Sequence, residues 1–365
     1  MNQEHKLILE LLKYDVNVHD DFFLNNVNWI NILGYLTYHR VAGLTYEKME
    51  KIGVRKFDYP VYFTTYMINE LQKERTLEQN KWINIISNEL DKNNIEYVFL
   101  KGSILNNTLF KYGSRASNDI DILIKKDSIP VVTNILHNLG FIQGKYDYKN
   151  KKIIKFTQEE LDKSILTRGE TAPFVRKNNN PAVETIDVDL NFSIDWSQNN
   201  NEIVDYFLKN RISIIKNDNI PIYSLNYYHN FIELCIHLYK DSSLVGILKK
   251  RKVLDLYKFI DIYYFIKKYF TEIDIDILYQ EIKKYSLEKY IYFSLTYTTE
   301  LFPDSKSNQI ESLLRKIKTE NILNIIFEQE DENKKMITSS TITERIFSYD
   351  VIHKYRRIYN ETDHK

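Results

Sequence analysis

From Glu4 to Asn93 the apolar residues recur every three or four positions, as in Leu7, Leu11 and Leu12 and later Trp82, Ile85, Ile86 and Leu90. This is the spacing of helices that bury one stripe. The pattern changes at Ile95, where Ile95-Glu96-Tyr97-Val98-Phe99-Leu100 is short, rich in β-formers and closed by Lys101-Gly102-Ser103, which predicts a strand running into a tight turn. A short helix is expected over Ser103 to Phe110, broken by Tyr112-Gly113-Ser114. The run Asn118-Asp119-Ile120-Asp121-Ile122-Leu123-Ile124 then begins with the polar–apolar alternation of a second strand. Asp127 to Leu139 predicts a helix with Pro130 in its first turn and Gly140 at its end, and Phe141 to Gln143 returns to the sheet. Glu184 to Phe192 alternates again, with Ile186, Val188, Leu190 and Phe192 on one face and Asp187, Asp189 and Asn191 on the other.

Beyond Tyr227 the helical period returns in Phe231, Leu234, Cys235 and Leu238, and further helices are expected over Val253 to Tyr269, Asp274 to Tyr285 and Ser307 to Ile326. The polar, lysine-rich stretch Tyr146 to Pro181 predicts a hairpin or a mobile insertion, with Asn178-Asn179-Asn180-Pro181 as a turn. The resulting expectation is an α/β (α+β) fold with a small mixed sheet: a helical segment over 1–93, a sheet-bearing core over 94–224 and a helical domain over 225–365.

Composition narrows the chemistry more than it changes this picture. With 50 Lys and Arg against 50 Asp and Glu, no global field draws the chain to nucleic acid or to an anionic membrane. A nucleic-acid partner would need a local patch, for which the basic runs at 249–252 and 353–357 are the candidates, each read first as solvated surface. Cys235 is the only cysteine, which excludes an intramolecular disulfide and a zinc site of cysteine type. The absence of an apolar leader or a long uncharged apolar window leads to the expectation of a cytoplasmic protein with no membrane partner.

Asp119 and Asp121, two apart on a strand, emerge on the same face. Two carboxylates held together repel unless one is protonated or a cation lies between them, so the pair is a natural clamp for a hard divalent ion. The turn Lys101-Gly102-Ser103 precedes it, its glycine permitting close backbone approach and its serine hydroxyl and neighbouring N–H groups suited to a phosphate. A third acidic strand follows with Asp187 and Asp189. Two-metal phosphoryl transfer uses about three carboxylates.

The order Gly102-Ser103, then Asp119-Ile120-Asp121, then a distal strand aspartate resembles the signature of the DNA polymerase β-like nucleotidyltransferase superfamily. Phe99-Leu100-Lys101-Gly102-Ser103, Arg115, Asn118 to Ile124 and Leu139-Gly140-Phe141 resemble, more closely, the family of uncharacterised nucleotidyltransferases, over about Trp29 to Ile266. The resemblance makes 94–224 the nucleotidyltransferase core. It implies Lys101, Gly102, Ser103 and Arg115 at the nucleotide, Asp119 and Asp121 as ligands to both metals, and Asp189 as the third carboxylate. It further implies Mg²⁺, two ions with Mn²⁺ as an alternative, and an NTP, with ATP favoured, as donor. The acceptor would be a hydroxyl of a small molecule, peptide or protein, a nucleic acid being left open but not favoured.

Two departures stand out. Fifteen residues, Ile104 to Asn118, separate Ser103 from Asp119, somewhat more than the superfamily commonly has, and Asn191 stands where the family often has a histidine, so that position cannot titrate. Asp187 remains a rival to Asp189. His237, on a mostly apolar helix, is read first as a core residue. Two other readings compete: a catalytically silent nucleotide-binding or antitoxin-like module, and a glycosyltransferase using Asp119-Ile120-Asp121 with Mn²⁺, which the helical first ninety or so residues disfavour.

Overall fold

A computed structural model describes residues 2–15, 26–195, 201–215, 221–249, 254–328, 331–348 and 351–357. They form two compact units. One comprises 42–46 and 63–230, and the other 1–41, 47–62 and 231–365.

The first unit is built on an eight-stranded mixed sheet: β1 (Tyr97–Phe99), β2 (Asp119–Ile124), β3 (Ile142–Asp147), β4 (Lys152–Lys155), β5 (Phe174–Lys177), β6 (Thr185–Asn191), β7 (Ile212–Ile215) and β8 (Pro221–Ser224). Their spatial order is β4-β3-β5-β6-β2-β1-β8-β7. Central β2 lies antiparallel to β1 and parallel to β6. Its Ile120, Ile122 and Ile124 and the Ile186, Val188 and Leu190 of β6 are buried in one core with Ile83, Ile86 and Leu90 of the long helix Tyr59–Lys92. The alternation written in the two strands is therefore what turns every second residue away from the core, and at those places stand the acids.

The stretch over 146–181, left open by the sequence, is a β3–β4 hairpin, a helix Gln158–Arg168 and strand β5. Thr157 starts that helix with a reciprocal capping box to Glu160.

The second unit is mainly helical, with the buried helix Leu256–Tyr269 beside Glu288–Leu301. It departs from expectation at one place. The helix expected over Ser307 to Ile326 spans only Asn308–Lys316. Asn321 adopts a positive φ of 56°, and Ile325–Glu328, Asp331–Ile337 and Arg356–Arg357 form a three-stranded sheet, β9 to β11. The β-branched Ile325-Ile326 pair followed by Phe327 favours a strand over a helix end. Among the described residues no helix is long and apolar enough to cross a membrane.

Candidate active site

The parallel register of β2 and β6 sets Asp119 beside Asp187 and Asp121 beside Asp189. Four carboxylates thus occupy neighbouring positions on one face of adjacent strands, which in a sheet run about 4.8 Å apart. Asp121 is buried and Asp119 half-buried. Asn191, the next outward-facing residue of β6, donates from Nδ2 to Asp121 Oδ1 at 3.3 Å.

The turn after β1 reaches this face. Leu100 N donates to the Asp121 carbonyl at 3.0 Å, and Lys101 follows with φ 48° and ψ −122°, a conformation that costs a non-glycine residue about 1–3 kcal/mol. That backbone carries its side chain onto the acids: Lys101 Nζ lies 2.8 Å from Asp121 Oδ1, with the side chains 17% and 7% exposed. Gly102 opens the helix Gly102–Thr108, and a Cβ there would sit 2.2 Å from Ser117 Oγ and 2.7 Å from an Arg115 guanidinium nitrogen. The position admits only glycine without a shift in its neighbours.

Arg115, expected at the nucleotide, is buried behind Gly102 and donates to the Ala116 carbonyl at 3.3 Å, in the loop that leads into β2. Ser117 Oγ and Gln79 Nε2 both donate to the Asp119 carbonyl, at 3.2 and 3.3 Å, fixing the entry to β2. Ser103 is buried, and its Oγ has no hydrogen-bond partner.

The electrostatics separate the two β6 acids. Burial raises the Asp189 pKa well above the ordinary carboxylate range, and the charges of Asp119, Asp121 and Glu170 raise it further while Lys101 lowers it. Asp187 is also raised by burial, but a hydrogen bond from Thr185 and the charge of Arg75 lower it. Asp189 is therefore the one that shares a field with Asp119 and Asp121. Glu170, on no strand the sequence suggested, enters the same field.

The donor set suits a hard cation in a particular way. Asp189 Oδ1 is buried without a hydrogen-bond partner, and the oxygen ligands and like-charge repulsion both favour Mg²⁺ or Mn²⁺. Among the described residues, no three His, Cys, Asp or Glu side chains converge as a ready cage. Magnesium is commonly held by one or two carboxylates and completed by substrate phosphates and water, and the face fits that mode.

The other sequence candidates lie in the second unit. His237 Nε2 is 3.6 Å from Asp241 Oδ2, which also takes the buried Lys258 ammonium, a structural charge cluster in a helical core. Of the basic runs, Lys249 closes a short helix and 250–252 lie outside the described residues, while Arg356 and Arg357 form an edge strand.

A mixed sheet with acids on adjoining parallel strands, a lysine-glycine-serine turn across from them and flanking helices is a nucleotidyltransferase-type fold. The chain belongs to the family of uncharacterised nucleotidyltransferases, whose model matches residues 25–303, extending beyond the stretch over which the sequence motifs were legible. An antigenic nucleotidyltransferase-like protein from Paracoccidioides brasiliensis, known from a crystal structure, is similar over 64% of this chain and 91% of its own, with 14% identity and a TM-score of 0.38. No curated protein matches the chain.

Proposed function

We propose that this protein transfers an NMP group from an NTP to an acceptor hydroxyl and releases pyrophosphate. The observation that carries the reading is the β2–β6 register, which pairs Asp121 with Asp189 while Lys101 Nζ rests on Asp121. Asp119, Asp121 and Asp189 are the residues that would hold Mg²⁺, two ions in the full reading, which when bound would neutralise the triphosphate and make the acceptor hydroxyl more acidic.

The chain's own groups have distinct parts. The Lys101 ammonium, which balances Asp121 in the free protein, is placed to turn to a phosphate oxygen and offset charge on the leaving pyrophosphate. Ser103 Oγ, buried without a partner, can donate to the triphosphate. Arg115 and Ser117 hold the Gly102 turn close to the acids. The acceptor oxygen bonds to the α-phosphorus as the bond from that phosphorus to the bridging oxygen breaks, and the hydroxyl proton passes to Asp189 Oδ1. Asn191 cannot take a proton, so it orients Asp121. ATP is the favoured donor, and the neutral overall charge favours a small-molecule, peptide or protein acceptor over a polyanion.

A second reading, a silent nucleotide-binding module, is favoured by the lack of three converging carboxylates among the described residues. Calorimetric titration with non-hydrolysable NTPs, with Mg²⁺ and with EDTA, distinguishes the two when combined with an α-labelled NTP transfer assay. Metal-dependent binding that Asp119→Asn/Asp121→Asn loses, with label transferred to an acceptor, is expected of the enzyme. Binding that is indifferent to metal and to both substitutions is the result that overturns it.

A further inference from the structure

The helix Trp29–Tyr38 contains no charged residue, although 27% of the chain is charged. Its core face is Trp29, Ile32 and Leu36, all buried. A helix with one face in a core ordinarily sets charged side chains on the other. Here the other face carries Ile30, Gly34 and Tyr38, each one turn from the next, flanked by Asn31 and Tyr35, and Ile30 is 75% exposed. These residues line a cavity of about 550 Å³ within the second unit, and Glu4, from the helix Gln3–Leu12, is the one charged side chain among the described residues that line it.

Gly34 is what points to a ligand. It stands inside the helix, where glycine is unfavourable, and neither of the usual reasons for a glycine applies. Its backbone is not left-handed, and a Cβ built there would meet no atom within 4 Å. What the missing side chain preserves is open space on the floor of the cavity. The walls around that space are fixed. Tyr35 Oη donates to the Phe347 carbonyl at 3.3 Å, the Tyr35 ring meets His5 and Phe347 edge-on at 5.3 and 5.4 Å, and those two rings stack at 4.0 Å. Glu4 is held as well, since Asn28 N donates to its Oε1 at 3.2 Å.

We propose that this cavity binds a small organic cation, an amine whose aromatic or apolar body lies along Ile30, Tyr35 and Tyr38 over Gly34 and whose ammonium is paired by Glu4. A cavity of this size, lined by apolar and aromatic groups with a few fixed polar ones, has the make-up of a small-molecule site. Tyrosine rings attract a cation through their quadrupole. The lone carboxylate selects the same charge and repels an anion. No residue of the acidic face takes part, so this binding does not depend on the nucleotidyltransferase reading.

Tryptamine, tryptophol and indole-3-propionate share an indole body and differ in charge. Titrating each into the full-length protein at neutral pH, with binding read by saturation-transfer NMR, therefore separates charge from apolar burial. Wild type is expected to bind tryptamine roughly threefold more tightly than tryptophol and about tenfold more tightly than indole-3-propionate. Glu4→Gln should weaken tryptamine by roughly three- to tenfold, the scale of one partly solvated charge pair, and leave tryptophol within about twofold. Gly34→Leu fills the floor and should abolish binding of all three, with circular dichroism to verify folding. Should that variant fail to fold, Ile30→Lys, at an exposed position, sets a like charge against the amine and should abolish tryptamine binding. Gly34→Ala should melt no lower than wild type, because its methyl group enters open space; a lower melting point would assign the glycine to packing and overturn the reading of the cavity. Wild type that binds no tryptamine, or tryptamine binding that Gly34→Leu and Glu4→Gln both leave unchanged, overturns the proposal. Self-association of wild type in sedimentation velocity that Gly34→Leu abolishes, without tryptamine binding, would overturn it in favour of a second copy of the chain on this face.

Discussion

Lys101 combines a strained backbone with a buried ion pair, and two substitutions separate those contributions. Lys101→Ala removes the ammonium and leaves the strain. The bond from Nζ to Asp121 Oδ1 is 2.8 Å, with both side chains largely buried, so losing one partner leaves an unbalanced carboxylate among its fellows and should cost about 3 kcal/mol. Lys101→Gly loses the same pair but relaxes φ 48°, ψ −122°, recovering about 1–3 kcal/mol against roughly 0.5–1 kcal/mol of extra unfolded-state freedom. Both variants should be less stable than wild type, yet the glycine variant should exceed the alanine variant by about 1 kcal/mol, the reverse of the ordinary order. Urea denaturation at pH 7 without divalent ions measures this, comparing midpoints where the slopes agree. If Lys101→Ala equals or exceeds Lys101→Gly, the backbone at 101 is not strained. If neither variant loses stability, the ion pair contributes nothing and the account of the metal-free site is wrong.

Asp189→Asn should raise the melting temperature of the metal-free protein, because burial and like charges disfavour the carboxylate there, and it should abolish metal-dependent NTP binding; a variant destabilised yet still binding contradicts both statements. Gly102→Ala should cost about 1–3 kcal/mol by overpacking against Ser117 and Arg115, and Ser117→Gly in that background should recover part of the loss in the same melts, whereas additive losses would show that the two positions do not meet. His39 is wholly buried, its Nδ1 faces Leu256 N at 3.5 Å, and burial lowers its pKa to about 3. Since the unfolded chain protonates near 6.5, its contribution is complete above that pH and declines as pH falls from 6.5 toward 3. The loss should be about 2 kcal/mol between pH 7 and 5, and His39→Gln should flatten the wild-type stability profile across that window; an unchanged slope would exclude His39 as its source.

The parts of the fold readable in the sequence are those where one local pattern decides the outcome. Ile120, Ile122 and Ile124 against Asp119 and Asp121 define a strand and its buried face without reference to any partner, and Ile186, Val188 and Leu190 do so again. Which strands adjoin is a long-range matter: that β6 rather than β5 lies beside β2, and in a register that pairs Asp121 with Asp189, is stated by no residue alone. Glu170 was invisible for the same reason. It sits between a helix end and a proline-broken strand, with no alternation around it, and reaches the site only through an isolated bridge to Asn191. The sheet of β9 to β11 was missed because Ile310, Leu313 and Ile317 satisfy a helical spacing and the apolar residues up to Ile326 follow closely behind it, while the left-handed Asn321 that separates them carries no strong sequence signal. Arg115 illustrates the converse limit: its place in the motif was readable, but that it packs behind Gly102 depends on how closely two loops approach.

The acidic face raises a physical question that the Lys101 turn answers. Carboxylates on adjoining strands beside an apolar core would, unbalanced, oppose the folding of the sheet they stand on. An ammonium delivered by the neighbouring turn balances Asp121 at 2.8 Å, and Asn191 supplies a neutral donor to the same oxygen. The sheet can thus form before any ion or nucleotide binds, at the cost of one strained residue. A divalent ion entering between the acids would take over the role of the lysine and free it at the place where a triphosphate would lie. In that scheme metal and nucleotide binding are coupled through a single side chain: the ion releases Lys101 from Asp121, and the phosphate gives it a new partner. Neutralising Lys101 should therefore make metal binding tighter in the absence of nucleotide and weaken the enhancement that each ligand brings to the other, since linkage requires the effect to be reciprocal. A lysine that served only as a structural counter-ion would produce the first effect without the second.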